Sequence, residues 1–318
     1  MAAELHSAPS LIAAFEQAAG RVLGQNGEHC SEPIQVLLPR VEAIVRWQRR
    51  LGPCAGVRAH QFYDLARTVL DRAAVPVGRL NGDGAAALVR HLLACMDRAG
   101  ELTTFSAVAS TPGFARALLE WVREMRTQEI TPEQIEGEAD RTGSARDAQL
   151  GRFYRRYHDF LAEHHLEDAD GLLAQAADAL AADPGLLASA PLLVVLGFDQ
   201  FSPVQLRLLQ AVAQSAREVA IYLTWDNERP QDSRALSRLR RTREDLLRFA
   251  HPAAAPVPDP SDLSDGLERV RRRLFEPADL LIGTGSAGDS WRAVAAASRE
   301  GEVRRALADI KALLLGGV

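Results

Sequence analysis

Asp199 and Gln200 stand just after the apolar run Leu193 to Leu196, in "LVVLGFDQFSPVQLRLLQAV". A carboxylate at the end of a buried strand can hold Mg²⁺ or orient a water that attacks a nucleotide phosphate. That chemistry needs a second acid, and only Asp199 is present in the turn. It also needs a lysine that follows a glycine-rich turn and reaches the phosphates. Lys311 is the only lysine of the chain, and no glycine turn precedes it in "RRALADIKALLLGG". The glycine-bearing stretches "GRVLGQNG" and "GTGSAGDS" contain no lysine. The chain as given has no P-loop of the lysine-bearing kind, and no cofactor is expected. The plain alternative for Asp199 is a turn residue bonded to nearby backbone.

Arginine carries nearly all the positive charge. Arg234, Arg238, Arg240, Arg241, Arg243 and Arg248 form the densest basic segment, and Arg269, Arg271, Arg272 and Arg273 form a second. Guanidinium groups suit bidentate contact with phosphate. Glu244, Asp245 and Glu268 dilute that field, so a solvated helix face stands beside the nucleic-acid reading. In "HQFYDLA", Gln61 and Phe62 could touch a nucleotide, the ring by stacking. The alternative for Phe62 is a core residue at a strand–helix junction. His164 and His165 are adjacent and cannot share one helical face as metal pairs at i, i+4 do. A helix end followed by a turn, with Asp168 or Asp170 as a cap, accounts for them better. Cys30, Cys54 and Cys95 are scattered and form no Cys-x-x-Cys pair, so no metal site is expected.

These residues need a frame. The 318 residues are 47% apolar and 25% charged, a globular balance that allows one large domain or two ordinary ones. The formal net charge of −5 argues against a uniformly basic surface, so nucleic-acid contact must be local. No apolar run is long enough to span a bilayer and no signal peptide is evident, so the cytoplasm is the default address. Continuous apolar runs predict buried strands near 192–197 and 218–224. Shorter strands are expected near 34–39, 56–60 and 292–297. The spacing from about 63 to 188 is nearly all helical. Thr111–Pro112, Thr131–Gln134 and Ser202–Gln205 are helix starts, the last two with a capping box. Residues 251–267, "HPAAAPVPDPSDLSDGL", read as a flexible surface loop.

The expected architecture is α/β. Residues 1–62 and 189–318 form a domain with a parallel sheet, and 63–188 form an inserted helical subdomain. The order of elements resembles the first motor half of UvrD-like superfamily-one helicases, a RecA-like, P-loop-NTPase-like sheet with a helical insertion. Four stretches are more specifically similar to the AddB (RexB) type subunit of the bacterial AddAB helicase–nuclease. They are "VLLP" before a helix, "FYDLARTVL" after a short strand, "PGFARALLEWVREMR…ITPEQIE", and "LVVLGFDQFSPVQLRLLQAVA…VAIYLTW". The closing "REGEVRRALADIKALLLGG" resembles the segment that leads towards the second motor half of that family. The likeness spans roughly residues 10–315, and rests on an ordered series rather than one motif.

The resemblance implies double-strand-break repair by an ATP-dependent helicase and PD-(D/E)xK nuclease, of which this chain would be a helicase-like module or a fragment. An aligned acidic pair would fall on Leu196 and Gly197, with Asp199 two positions late, so the motor site is expected to be degenerate across Leu196, Gly197, Asp199 and Gln200. The chain alone is then expected to be catalytically silent. Its implied partners are DNA, chiefly single-stranded, and an AddA-type motor subunit. Gln61, Phe62, Arg238, Arg240, Arg241, Arg243, Arg271 and Arg272 are the DNA-contacting candidates. A protein-interaction scaffold that touches no nucleic acid is the competing reading. A third is an enzyme whose P-loop lies upstream, because residues 11–23 look like the helix that follows such a loop.

Overall fold

The computed structural model describes residues 3–25, 32–52, 56–225, 236–255, 257 and 295–315. They fall into two units, 3–225 with 236–257 in the first and 295–315 in the second.

The first unit is α/β. Its main sheet has six strands in the order β3-β2-β6-β7-β1-β8, each parallel to its neighbours. The strands are β1 (Ala3–Ala8), β2 (Ile34–Leu37), β3 (Val57–His60), β6 (Leu193–Leu196), β7 (Val219–Thr224) and β8 (Ala250–Pro252). Val195 pairs with Ile221, and Ile221 also pairs with Leu5, so β7 is held from both sides. Parallel strands need crossovers, and helices supply them. α1 (Leu11–Gln25) and α2 (Val41–Leu51) cover one face. α3 (Phe62–Arg72), α8 (Ala169–Ala182) and α9 (Pro203–Ser215) cover the other, joined by α10 (Ser237–Leu246).

Side chains alternate across each strand and so feed two cores. Leu193, Val195, Ile221 and Leu223 point to the α3–α8–α9 side. Val194, Leu196, Ala220 and Tyr222 point to the α1–α2 side. The expected buried strands behave as their continuous apolar runs require, with all four residues of β6 buried.

A third apolar cluster belongs to α4 (Gly82–Arg98), α5 (Pro112–Thr127), α6 (Pro132–Thr142) and α7 (Ala145–Glu163). Val89, Val122, Phe153 and Tyr157 are among its most buried members. The chain enters these helices through β4 (Gly78–Arg79) and leaves through β5 (Leu166–Glu167). The two short strands pair in parallel, and Gly78 N–H donates to His165 O at 2.7 Å. α3 and α8 pack in the sheet's cluster although the spacing from 63 to 188 reads as one helical stretch.

Several local expectations need correction. β1 was not foreseen before the helix at Leu11, since Leu5 is its only large apolar residue; its strand state comes from pairing with β7 and β8. The stretch 251–267 is not wholly loop, because His251 and Pro252 complete the edge strand β8. An edge position tolerates the proline's missing N–H. The remaining residues of that stretch that are described, 253–255 and 257, have no regular structure, and the rest lies outside the described residues. The strand expected near 292–297 is not formed at 295–297, and 292–294 lie outside the described residues. In the second unit α11 (Arg299–Leu315) is the closing helix, as its spacing predicts.

Candidate functional site

Ligands of open parallel sheets favour the carboxyl ends of the strands. Five connections lie there: Pro9–Ser10 after β1, 38–40 after β2, Gln61 after β3, 197–202 after β6 and the buried Trp225 after β7. Trp225 N–H donates to Ala8 O at 2.7 Å, which ties the first and last of these together.

The turn after β6 begins with Leu196, fully buried on the α1–α2 side, and Gly197, whose φ is +83°. That left-handed conformation favours glycine. A Cβ on Gly197 would meet Pro39 at an ordinary 3.5 Å, so the backbone conformation alone disfavours a side chain. Gly197→Ala is therefore expected to lower stability by about 1–2 kcal/mol. Urea unfolding measures this, and an unchanged midpoint would show that the turn relaxes freely. Phe198 and Phe201 then stack at 5.0 Å, and both meet Phe62 edge-on, at 5.3 and 6.1 Å. This aromatic trio anchors the turn, so Asp199 and Gln200 are pushed outward and exposed. Thr242 of α10 donates to the Asp199 carbonyl at 3.0 Å. The Asp199 carboxylate has no hydrogen bond or ion pair with a described residue. Ser202 and Gln205 then close a reciprocal capping box on α9.

Phe62 is 5% exposed, so its ring faces Phe198 and Phe201. Gln61 donates from Nε2 to Pro39 O at 3.1 Å, while its backbone N–H donates to Asp64 at 3.0 Å. It ties the β2 and β3 turns to each other. At the β1 turn, Ser10 Oγ accepts from Ala13 N–H and Ser10 O accepts from Ala14 N–H, so the first turn of α1 is capped from within. Leu11 and Ile12 follow it and are 47% and 66% exposed. The strand that feeds α1 is thus β1, inside the chain, joined by Pro9 and Ser10 alone.

α10 crosses beside this edge. Thr242 and Leu246 are its buried residues. Arg238 and Arg241 are exposed, and Arg240 and Arg243 are half-buried. Arg243 lies over the Trp225 ring, 5.4 Å from its centroid, a cation–π contact that joins α10 to β7. Arg240, Arg241 and Arg248 face α9 across a groove of about 800 Å³ with Leu206 and Phe249 in its lining. Arg207 lines the α9 side and pairs with Asp178 and Glu129, both at 2.6 Å. Arg248 pairs with Asp245 at 3.3 Å. Arg240 and Arg241 form no ion pair with a described residue. They share the groove with Glu244 and Asp245. Sequence reading did not single out Arg207 or Phe249, because only the crossing of α9 and α10 brings them to the groove. Arg234, Arg269, Arg271, Arg272 and Arg273 lie outside the described residues.

Away from the edge sits a buried ionic cluster that the sequence does not announce. Arg126 of α5 pairs with Glu167 and, at 3.1 Å, with Asp168, and lies 3.2 Å from a ring nitrogen of His158. Tyr157 donates to Asp168 at 3.3 Å, and Thr127 to Asp170 at 3.0 Å. Burial pushes the Glu167 and Asp170 carboxyls up. Burial and the neighbouring Arg126 press His158 down to about 4. Gly171 leaves no room for a Cβ against the Arg126–Glu167 pair. Asp168 caps α8 as expected, and His164 closes α7. Among the described residues no group of three His, Cys, Asp or Glu could hold a metal ion.

Known proteins agree with the resemblance. Residues 45–274 match a family described as ADDB, N-terminal. An ATP-dependent helicase/deoxyribonuclease subunit of Listeria innocua, of the B type, is 24% identical over 181 residues, 56% of this chain and 15% of the relative. Its counterpart in Desulfitobacterium hafniense is 29% identical over 148 residues, 44% and 11% of the two chains. The counterpart in Desulforudis audaxviator is 28% identical over 233 residues, 67% and 20%. The matched segments thus make up about a fifth or less of these curated relatives' lengths. A match across well over half of these residues, in a stretch that carries β3, β6, β7 and the helices between them, makes the chain a member of the AddB N-terminal family.

Proposed function

We propose that this chain is a RecA-like, helicase-related module that does not hydrolyse nucleotide and that acts by contacting DNA and docking to a motor subunit of the AddA type. The observation that carries the silent part is the carboxyl edge itself. Nucleotide hydrolysis would need two acids where Leu196 is buried and Gly197 is left-handed. It would need open N–H groups at the start of α1, where Ser10 caps the helix and Leu11 and Ile12 are exposed instead. The order β8-β1-β7-β6-β2, with the β1 and β6 turns two strands apart at one edge, supports a RecA-like ancestry for this arrangement. Helices α4–α7 would be the inserted subdomain, on the strength of their own apolar cluster.

The DNA part rests on Arg240 and Arg241, unpaired among the described residues beside the turn that holds Asp199. The relatives are each named as one subunit of a helicase/deoxyribonuclease, which supports the docking part. No helix among the described residues is long and apolar enough to cross a membrane, and a cytoplasmic address fits the proposal. A scaffold without nucleic-acid contact remains the second reading, favoured by the net charge of −5.

Fluorescence anisotropy with single-stranded DNA across a salt series separates them. Each guanidinium removed from a phosphate contact lowers the salt slope by about 0.7. Arg238→Ala/Arg240→Ala/Arg241→Ala is expected to weaken binding and flatten that slope by about 2. An unchanged slope refutes the α10 site, and DNA-stimulated ATP hydrolysis lost in Asp199→Asn refutes the silent one.

A further inference from the structure

The helical insert has a pocket that its own sequence leaves unfilled. On α5, Trp121 and Met125 lie one turn apart and are half-buried. Ile130, from the following turn, and Leu150 of α7 complete the apolar wall. α6, "PEQIEGEADRT", should cover them, but Ile135 is its only large aliphatic side chain. A cavity of about 440 Å³ remains, open to solvent, within the range of pockets that hold ligands.

Contacts on both sides brace its walls. Tyr154 donates to Ile130 O at 2.9 Å and takes the Trp121 ring edge-on at 5.6 Å. Thr131 and Gln134 cap α6 reciprocally.

The charged residues that line the pocket, Glu138 and Asp147, are both acidic. α6 bears Glu133, Glu136, Glu138 and Asp140 against Arg141 alone. Arg155 of α7 pairs with Glu133 and Glu136, and Arg141 with Glu138. Asp147 lines the pocket beside Glu138, and its carboxylate has no partner among the described residues. An anionic ligand is repelled there, so DNA does not fit this pocket. Few polar groups converge on the floor, as a small metabolite would need to be oriented. Tryptophan and methionine walls instead suit side chains of a protein partner.

We propose that this pocket docks a partner segment that presents a large aliphatic or aromatic anchor flanked by arginine or lysine. The anchor fills the space between Trp121, Ile135 and Leu150, and the cation meets Asp147 and Glu138. The inference is independent of the α10 groove proposed for DNA.

The test uses two capped tetrapeptides, Ac-Arg-Leu-Phe-Arg-NH2 and Ac-Glu-Leu-Phe-Glu-NH2, titrated into the full chain. The readout is the indole N–H resonance of Trp121, assigned with Trp121→Phe. The basic peptide is expected to move that resonance at sub-millimolar concentration and to bind roughly five-fold or more tighter than the acidic one. Asp147→Asn/Glu138→Gln should bring the two peptides to within about two-fold, and Met125→Glu should abolish the apolar anchor, with amide spectra showing both variants folded. Equal binding of the two peptides in the unsubstituted chain overturns the proposal. So does a Trp121 resonance that the basic peptide leaves unmoved at millimolar concentration.

Discussion

Arg126→Met is expected to lower the unfolding free energy by about 3–5 kcal/mol, the largest single-residue effect foreseen in this chain. The arginine side chain is 8% exposed, and Glu167 and Asp168 beside it are each 15% exposed. Removing it strands Glu167, whose charge burial already disfavours, and leaves Asp168 without its cation. The change is more than a lost bridge. The cluster joins α5 and α7 to the start of α8, so three elements lose a common anchor. Arg126→Lys should recover only part of the loss, because one ammonium cannot serve Glu167, Asp168 and His158 from a fixed plane. The triple change Arg126→Met/Glu167→Gln/Asp168→Asn should be milder than Arg126→Met alone, since the unpaired charges go with the arginine. Urea unfolding at neutral pH measures all three. A cost for Arg126→Met below about 1 kcal/mol would show that the cluster behaves as an exposed ion pair and does not anchor the three helices.

Acid is the second strong lever. His60 is 4% exposed, and neither ring nitrogen has a hydrogen-bond partner among the described residues. Burial, with help from Arg58, holds it at about 4. His158 is also held at about 4, by burial and Arg126. Both are neutral in the folded chain, whereas the unfolded chain protonates them near 6.5. Between these values the unfolded state binds more protons, so stability rises with pH. The contribution is complete above pH 6.5 and is lost as pH falls towards 4, by on the order of 3 kcal/mol for each histidine. Burial lowers His6 as well, in the same sense. Glu167 and Asp170 oppose it, because their raised values favour the folded state as they take up protons. The histidine shifts are the large ones, so they set the sign of the slope and the two carboxyls only reduce it. Thermal unfolding between pH 6.5 and 5 should therefore show a midpoint that falls with pH, and His60→Leu should make that fall markedly shallower. A flat profile in the parent chain would mean that the two rings reach water.

Much of the frame is legible in the sequence, and the reason is local. Thr111 with Pro112, Thr131 with Gln134, and Ser202 with Gln205 start helices because the signals act within four residues. β6 and β7 are legible because strands buried on both faces carry apolar residues at every position. β1 is not, since "AELHSA" becomes a strand only when Val219–Thr224 pairs with it. The site divides in the same way. The place of Asp199 at a strand end is readable from the sequence, and so is the core alternative for Phe62, whose ring is buried. The left-handed backbone at Gly197 appears only in the folded turn, since a glycine in sequence is equally free to be extended. Arg207, on α9, reaches the α10 groove through the third dimension alone. Arg126 reads as one more charge on an amphipathic helix, until α8 closes over it.

The parallel pairing of β4 with β5 has a consequence for how this chain closes. α3 and α8 lie in one apolar cluster yet are separated in sequence by α4 to α7. Closing a loose loop of that length would cost entropy before any contact between α3 and α8 rewarded it. Here the two ends of the intervening segment lie side by side, with Gly78 N–H on His165 O at 2.7 Å. The helices between them have their own core, so local contacts can gather the ends first. To the strands the segment then behaves as a loop whose ends are already joined, and its remaining ties to the sheet's helices include Arg126 on Asp168 and Glu129 on Arg207.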